Sequence, residues 1–203
     1  TFLPGLRLYD AFGLISQILV SLIPFWLGLR YLNSREGNEA LLQALATSGL
    51  IYTIPAMLEV RLSPQLHNWV YGFSPFDFIQ QVRDGGFRPV VFLNHGLMLG
   101  IYLCMSVISA FILYREARRQ ERNAFGWFVA GLWLLFVLVL SKALGALMIA
   151  SVFALIVFFL GRRVQITIAV VLAFVVMFYP MLRGAGWIPV TLSHEVALSI
   201  DAD

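Results

Sequence analysis

Long apolar runs constrain this chain more than any other feature. Residues 8–32, 40–60, 90–114, 126–160 and 164–182 are almost free of charged side chains. Roughly 18 or more consecutive apolar residues are enough to cross the hydrocarbon core of a bilayer. Inside that core each backbone N–H and C=O must find its partner within the protein, so such runs fold as helices. Composition agrees: 60% of residues are hydrophobic and 12% are charged, against about 25% charged in soluble domains. Mean hydropathy is +0.85. The expected fold is therefore all-α, a polytopic transmembrane helical bundle whose first partner is the lipid bilayer. The net charge of +3 does not point to nucleic acid, because membrane proteins collect basic residues in cytoplasmic loops. The single cysteine, Cys104, lies inside an apolar run and has no partner for an intramolecular disulfide.

Run 126–160 is too long for one ordinary span. As one helix it would measure about 52 Å at about 1.5 Å per residue, against a core of about 30 Å. Centring Lys142 in the bilayer would cost roughly 2.5–3.5 kcal/mol on insertion scales. Two shorter spans hinged at Ser141-Lys142 avoid both penalties; one long tilted helix is the alternative. The expected spans are then about six: 8–32, 40–60, 90–114, 125–140, 143–160 and 164–182.

Three arginine clusters set the orientation. Arg115, Arg118, Arg119 and Arg122 fall between two apolar runs, and Arg162-Arg163 fall between two others. Six spans put both groups, and the 30–39 loop, on the cytoplasmic side, as the positive-inside rule asks. Five spans would send Arg162-Arg163 outward. The third cluster, Arg61, Arg83 and Arg88, then lies outside, with the Ser141-Lys142 hinge and the tail after Arg183. In a bacterium that side is the periplasm, where a loop is expected to open at about residue 183. The chain, running from Thr1 to Asp203, is expected to be a piece of a longer protein.

The 61–89 segment carries two helix-start signals. Ser63-Pro64 pairs an N-cap residue with a proline at the first helical position. Leu66, Trp69, Val70 and Phe73 follow at helical spacing, and Gly72 can end the turn. Ser74-Pro75 repeats the signal with Asp77 at the capping-box position, then Phe78, Ile79 and Val82 on one face, closed by Gly85-Gly86. Two short amphipathic helices in the membrane interface are expected, with Trp69, Tyr71 and Phe73 at headgroup level.

Topology does not require the outer cations Arg61, Arg83, Arg88, Lys142 and Arg183. Singly, Arg61 and Arg183 read as side chains snorkelling from span ends, and Arg83 as a helix C-terminal charge beside Asp84. As a group they suit a phosphate or pyrophosphate at the bilayer edge, because guanidinium binds phosphate with two parallel donors. Lys142 is the single lysine of the chain, and an ionisable group in so apolar a run is a functional candidate. The alternative is a charge that merely reaches the interface at a turn. His67 and His95 are possible polar site residues, as a base or a ligand, although a lone interfacial histidine more often belongs to the polar belt. Glu59 reads as an ion-pair partner of Arg61. The pattern holds no Gly-rich phosphate loop, GxSxG or zinc motif, and neither metal nor cofactor is expected.

The stretch Glu59-Val60-Arg61-Leu62-Ser63-Pro64-Gln65-Leu66-His67-Asn68-Trp69-Val70-Tyr71-Gly72, continuing through Gly85-Gly86-Phe87-Arg88-Pro89-Val90-Val91-Phe92 to Asn94-His95-Gly96, resembles bacterial membrane proteins of the O-antigen ligase family. That superfamily includes O-antigen ligases and the polymerases of O-antigen and exopolysaccharide. Ser141-Lys142-Ala143-Leu144-Gly145-Ala146-Leu147 resembles its Ser-Arg-Gly-like segment, with Lys142 at the basic position. There lysine offers a point charge where arginine offers a fork. The tail 183–203 resembles the entry to the family's large periplasmic loop. The resemblance implies a glycosyltransferase of the bacterial inner membrane with its active face in the periplasm. Its donor would be an undecaprenyl-pyrophosphate-linked glycan, and its acceptor another glycan or lipid A core, joined or polymerised. Lys142, Arg61, Arg88, Arg183 and Arg83 would meet the pyrophosphate, and the family's catalytic base is expected beyond Asp203. Two other readings use the same residues. A transporter or flippase for a lipid-linked anion would bind through the cations alone, although such proteins often show internal repeats that are not visible here. A membrane O-acyltransferase would use His95 as base, with Asn94 as the polar group at hand.

Overall fold

The computed structural model describes residues 8–74, 78–83 and 86–184. These residues are helical apart from a four-residue β-hairpin and short connections. Seven α-helices are described: α1 (Leu8–Tyr31), α2 (Arg35–Leu62), α3 (Leu66–Tyr71), α4 (Gly96–Arg119), α5 (Phe125–Leu140), α6 (Leu144–Phe159) and α7 (Arg162–Gly184). A 3-10 turn at Phe78–Gln81 leads into strands β1 (Val82–Arg83) and β2 (Gly86–Phe87). Helices α1, α2, α4 and α7 are long and apolar enough to cross a membrane, and this architecture is compatible with an integral membrane protein. At 16 residues each, or about 24 Å, α5 and α6 fall short of that measure.

The chain divides into two units, residues 1–158 and 159–203. In the first, α4 is the central element. Leu99, Leu103 and Val107 on it are fully buried, as are Leu134, Val137 and Leu138 of α5. Small residues let the helices approach closely, the usual packing device where lipid leaves no hydrophobic drive between helices. Gly49 of α2 lies against the Ser106 side chain of α4, and Gly131 of α5 lies against the Phe111 ring. Buried Ala146, Ala150 and Ala154 form one stripe along α6. Its first turns abut Gly100 of α4, where an added Cβ would lie 2.7 Å from Ala143 Cβ. Polar side chains tie the same helices: the Tyr102 hydroxyl donates to Ser48 Oγ (2.8 Å) and the Trp133 indole to Thr53 Oγ1 (3.1 Å).

The break at Ser141-Lys142 reverses the chain. Helix α5 starts beside the end of α4, where the Tyr114 and Phe128 rings lie 5.2 Å apart. Helix α6 leaves from the Gly100 end of α4 and returns to the other, where Phe158 meets Phe111 (5.0 Å) and Tyr114 (5.7 Å). The two are thus an antiparallel hairpin, and Lys142 at its tip has φ of 53°. No proline or glycine makes the turn; Ser141 caps α5 by donating its hydroxyl to the Leu138 carbonyl at 2.7 Å.

Several boundaries differ from the sequence reading. Helix α4 begins at Gly96 and not at 90, because Pro89, Val90 and Val91 form a buried entry that turns at Val91. It continues to Arg119, so Arg115, Arg118 and Arg119 extend the helix instead of filling a loop; cations in a last turn suit the helix dipole. Ser63, with φ of 89°, caps the end of α2 through its N–H to the Glu59 carbonyl; it does not start α3, which begins at Leu66. Gly72 ends α3 in the left-handed conformation, as its position suggested. The second interfacial helix of the 61–89 segment is replaced by the 3-10 turn and the β-hairpin, and Gly86, expected as a helix stop, opens β2. Pro75, Asp77, Asp84 and Gly85, which carried the other signals, lie outside the described residues.

In the second unit, α7 runs from Arg162 to Gly184 with Pro180 near its end and no buried side chain among those described. Near its start, Gln165 Nε2 donates to the Leu160 carbonyl at 3.0 Å.

Candidate functional site

The first unit has two chemically different ends. At one, Arg35 at the start of α2 pairs with Glu116 near the end of α4, and Arg122 pairs with Glu39 at 3.3 Å. Arg115 reaches across to the Val157 carbonyl in the last turn of α6. Arg115, Arg118, Arg119 and Arg122, which the positive-inside argument assigned to the cytoplasm, all lie at or just beyond this end of α4. The opposite end holds the C-terminus of α2, α3, the β-hairpin, the N-terminus of α4 and the Lys142 turn.

Glu59 organises that second end. It is 1% exposed, and its carboxylate accepts three backbone donors: Leu66 N–H to Oε1 (3.0 Å), and Val90 N–H (2.8 Å) and Val91 N–H (2.6 Å) to Oε2. The expected ion pair with Arg61 does not form; the ion pairs among the described residues are the two at the other end. The reason is burial. A carboxylate out of water needs several donors at once, and three N–H groups of folded chain supply them where the exposed Arg61 would not. Glu59 thereby fastens the start of α3 and the entry to α4 onto α2. It also holds Val91 at φ of 58°, a conformation rare for a β-branched residue.

The hairpin is set by register. Val82 pairs with Phe87 and Arg83 with Gly86, and Arg88 N–H continues the ladder to the Gln81 carbonyl at 2.8 Å. Gly86 and Arg88 therefore share a face, since side chains two apart on a strand point the same way. Two glycines admit the cations. A Cβ on Gly86 would lie 2.8 Å from Lys142 Nζ, and one on Gly96 would lie 2.9 Å from the Arg88 side chain. Arg88 is buried, and its stem lies against Gly96 in the first turn of α4, whose next N–H groups are already bonded to His95. Phe87, on the other face, meets the Phe78 ring at 5.8 Å.

Of the candidate residues, the structure brings Lys142 and Arg88 to this hairpin. Arg61 sits at the same end, exposed, in the last turn of α2. Arg83 pairs with Gly86 through the backbone. Arg183 belongs to the second unit. His67 is buried under Tyr71 (4.7 Å) and Phe73 (5.0 Å), with Nδ1 bonded to the Phe73 carbonyl at 2.9 Å. His95 is the N-cap of α4, its Nδ1 accepting Leu97 N–H at 3.0 Å. That bond uses the basic lone pair of the neutral ring, whose proton then rests on Nε2. Both histidines thus have local structural work.

Sequence reading missed Glu59 as an anchor, and it missed Gln81. Gln81 is fully buried and stands directly opposite Arg88. A helical reading of 74–85 hid it, because only the β register puts it on the cationic face. In comparisons with known proteins, the chain matches no family model, no curated protein and no solved structure.

Proposed function

We propose that this chain forms part of a bacterial inner-membrane glycosyltransferase that joins or polymerises an undecaprenyl-pyrophosphate-linked glycan at the periplasmic face. One observation carries the reading: the Lys142 ammonium rests against Gly86, on the hairpin face that next presents Arg88, beside the N-terminus of α4. Two cations at one place suit a pyrophosphate oxygen cluster. The resemblance around 59–96 and 141–147 supports the same assignment. In the proposed reaction the acceptor hydroxyl attacks the anomeric carbon as its bond to pyrophosphate oxygen breaks. Lys142 and Arg88 stabilise the negative charge that collects on the leaving group. The acceptor's proton goes to a general base. The acceptor is a second glycan or lipid A core.

The proposed topology has six crossings, with α5 and α6 as short spans over a locally thinned bilayer. It puts the Lys142 end outside. The antiparallel course of α5 and α6 supports this, because it returns the chain to the arginine-rich end before Arg162-Arg163. Cysteine labelling tests the orientation. With Cys104 replaced by alanine, a membrane-impermeant maleimide should label Gly72→Cys in intact spheroplasts and leave Gln120→Cys unlabelled until lysis. The reverse pattern would overturn the orientation and the site argument with it.

The function itself is tested by deleting the full-length gene and analysing surface glycan by electrophoresis. Long polymer should vanish and return with the wild-type gene. Unchanged polysaccharide would remove the glycosyltransferase reading and favour transport of a lipid-linked anion.

A further inference from the structure

The Gln81 side chain is chemically unspent. It is 0% exposed, and neither its Nε2 nor its Oε1 has a hydrogen-bond partner among the described residues. Buried carboxamides are normally bonded, because an unmade bond in a dry site forfeits the solvation of both ends. Apolar packing cannot explain the choice, since leucine would fill similar volume without that penalty.

Register says where this amide points. Arg88 N–H bonds to the Gln81 carbonyl, so the two residues oppose each other across the ladder. Directly opposed residues of an antiparallel pair project to one face. The next position on that face is Gly86, and the Lys142 ammonium lies where its side chain would be. Gln81 closes the 3-10 turn directly before β1, and continuing the ladder places it on the hairpin face of Arg88 and Gly86.

Their chemistry differs in one respect. Lysine and arginine only donate, whereas the carboxamide both donates and accepts. Phosphate oxygens suit cations, but they offer nothing to Oε1. A ligand that fills both ends of Gln81 while its phosphate meets the cations carries hydroxyl or acetamido groups beside that phosphate. We infer that Gln81 is a specificity-determining residue that reads the sugar of a glycosyl phosphate ester bound by Arg88 and Lys142. This rests on the glycosyltransferase reading above and adds a residue and a selectivity to it.

The test is a binding comparison with full-length protein in lipid nanodiscs. The probes are farnesyl pyrophosphate alone and farnesyl pyrophosphate carrying N-acetylglucosamine, galactose or glucose. Wild type should prefer at least one sugar-bearing probe over the bare lipid by about 10-fold, close to 1.4 kcal/mol. Gln81→Leu should remove that preference and leave the bare lipid's affinity unchanged. Lys142→Ala should weaken all probes together. Leucine for an unpartnered amide leaves folding neutral or improved, and a thermal melt in the same nanodiscs checks that. Equal affinity of wild type for all four probes overturns the inference. So does a Gln81→Leu variant with unchanged preference, or one that weakens bare and sugar-bearing lipids alike. In those cases a Lys142-dependent affinity for bare pyrophosphate leaves the underlying reading standing. Failure of wild type to bind any probe sinks both together.

Discussion

Replacing Lys142 by alanine in the full-length protein abolishes glycan transfer and leaves membrane insertion and expression intact. The ammonium rests against Gly86 of the hairpin, beside the N-terminus of α4. One preorganised positive group on a developing anion is worth about 10²–10³ in rate. A drop of about 100-fold or more is therefore the expected size. Backbone effects are small in this comparison. Lys142 has φ of 53°, and alanine meets the same Cβ crowding there as lysine, so the loss reports the charge. Lys142→Arg is the informative companion: it keeps the charge and changes a point donor into a planar fork. The measurement is the surface-glycan profile of the deletion strain complemented with each variant, with protein level checked in isolated membranes. Transfer at the wild-type level by Lys142→Ala would remove Lys142 from the site.

Glu59→Ala destabilises the first unit by roughly 3–5 kcal/mol. Three N–H groups lose their acceptor together, and each buried orphan costs about 1–3 kcal/mol; partial entry of water keeps the total below the plain sum. The geometry of Val91 adds to the effect. A β-branched residue in the left-handed region carries about 1–3 kcal/mol of strain, tolerated here because Val90 and Val91 both bond to Oε2. Without the carboxylate the 88–92 segment is expected to relax and carry Arg88 away from Gly96. Glu59→Gln should cost less, since one carboxyl oxygen remains an acceptor while the new amide faces N–H groups. Thermal unfolding in detergent, with limited proteolysis of the 88–92 segment, reads both consequences. A loss under about 1 kcal/mol for Glu59→Ala would mean that the three bonds do not hold the segment.

The unequal fate of the sequence reading follows from the range of the forces involved. Helices α1, α2, α4 and α7 were legible because an apolar stretch of that length leaves the backbone no other way to meet its own hydrogen bonds. The Ser141-Lys142 break was legible because length and a lone charge both argued against one continuous helix. The 74–88 stretch was misread because its start signals, serine then proline, are shared by helices and turns. The Val90-Val91 segment that follows β2 is tied to the rest of the unit through Glu59, some thirty residues earlier in the chain. Glu59 itself looked like a surface partner for Arg61, since adjacency in sequence gives no hint that the end of α2 is dry.

Composition and apolar run length alone decided that this chain is helical, that it suits a membrane, and that its cations gather in separate groups. These are properties of each segment against its solvent, and they need no knowledge of neighbours. Tertiary structure alone decided that α5 and α6 fold back beside α4, that Glu59 serves backbone donors, and that Lys142, Gly86, Arg88 and Gln81 meet at one hairpin. Those outcomes depend on close helix approach at Gly49, Gly100 and Gly131 and on strand register. Both are set by contacts between residues far apart in the chain, which no local pattern encodes.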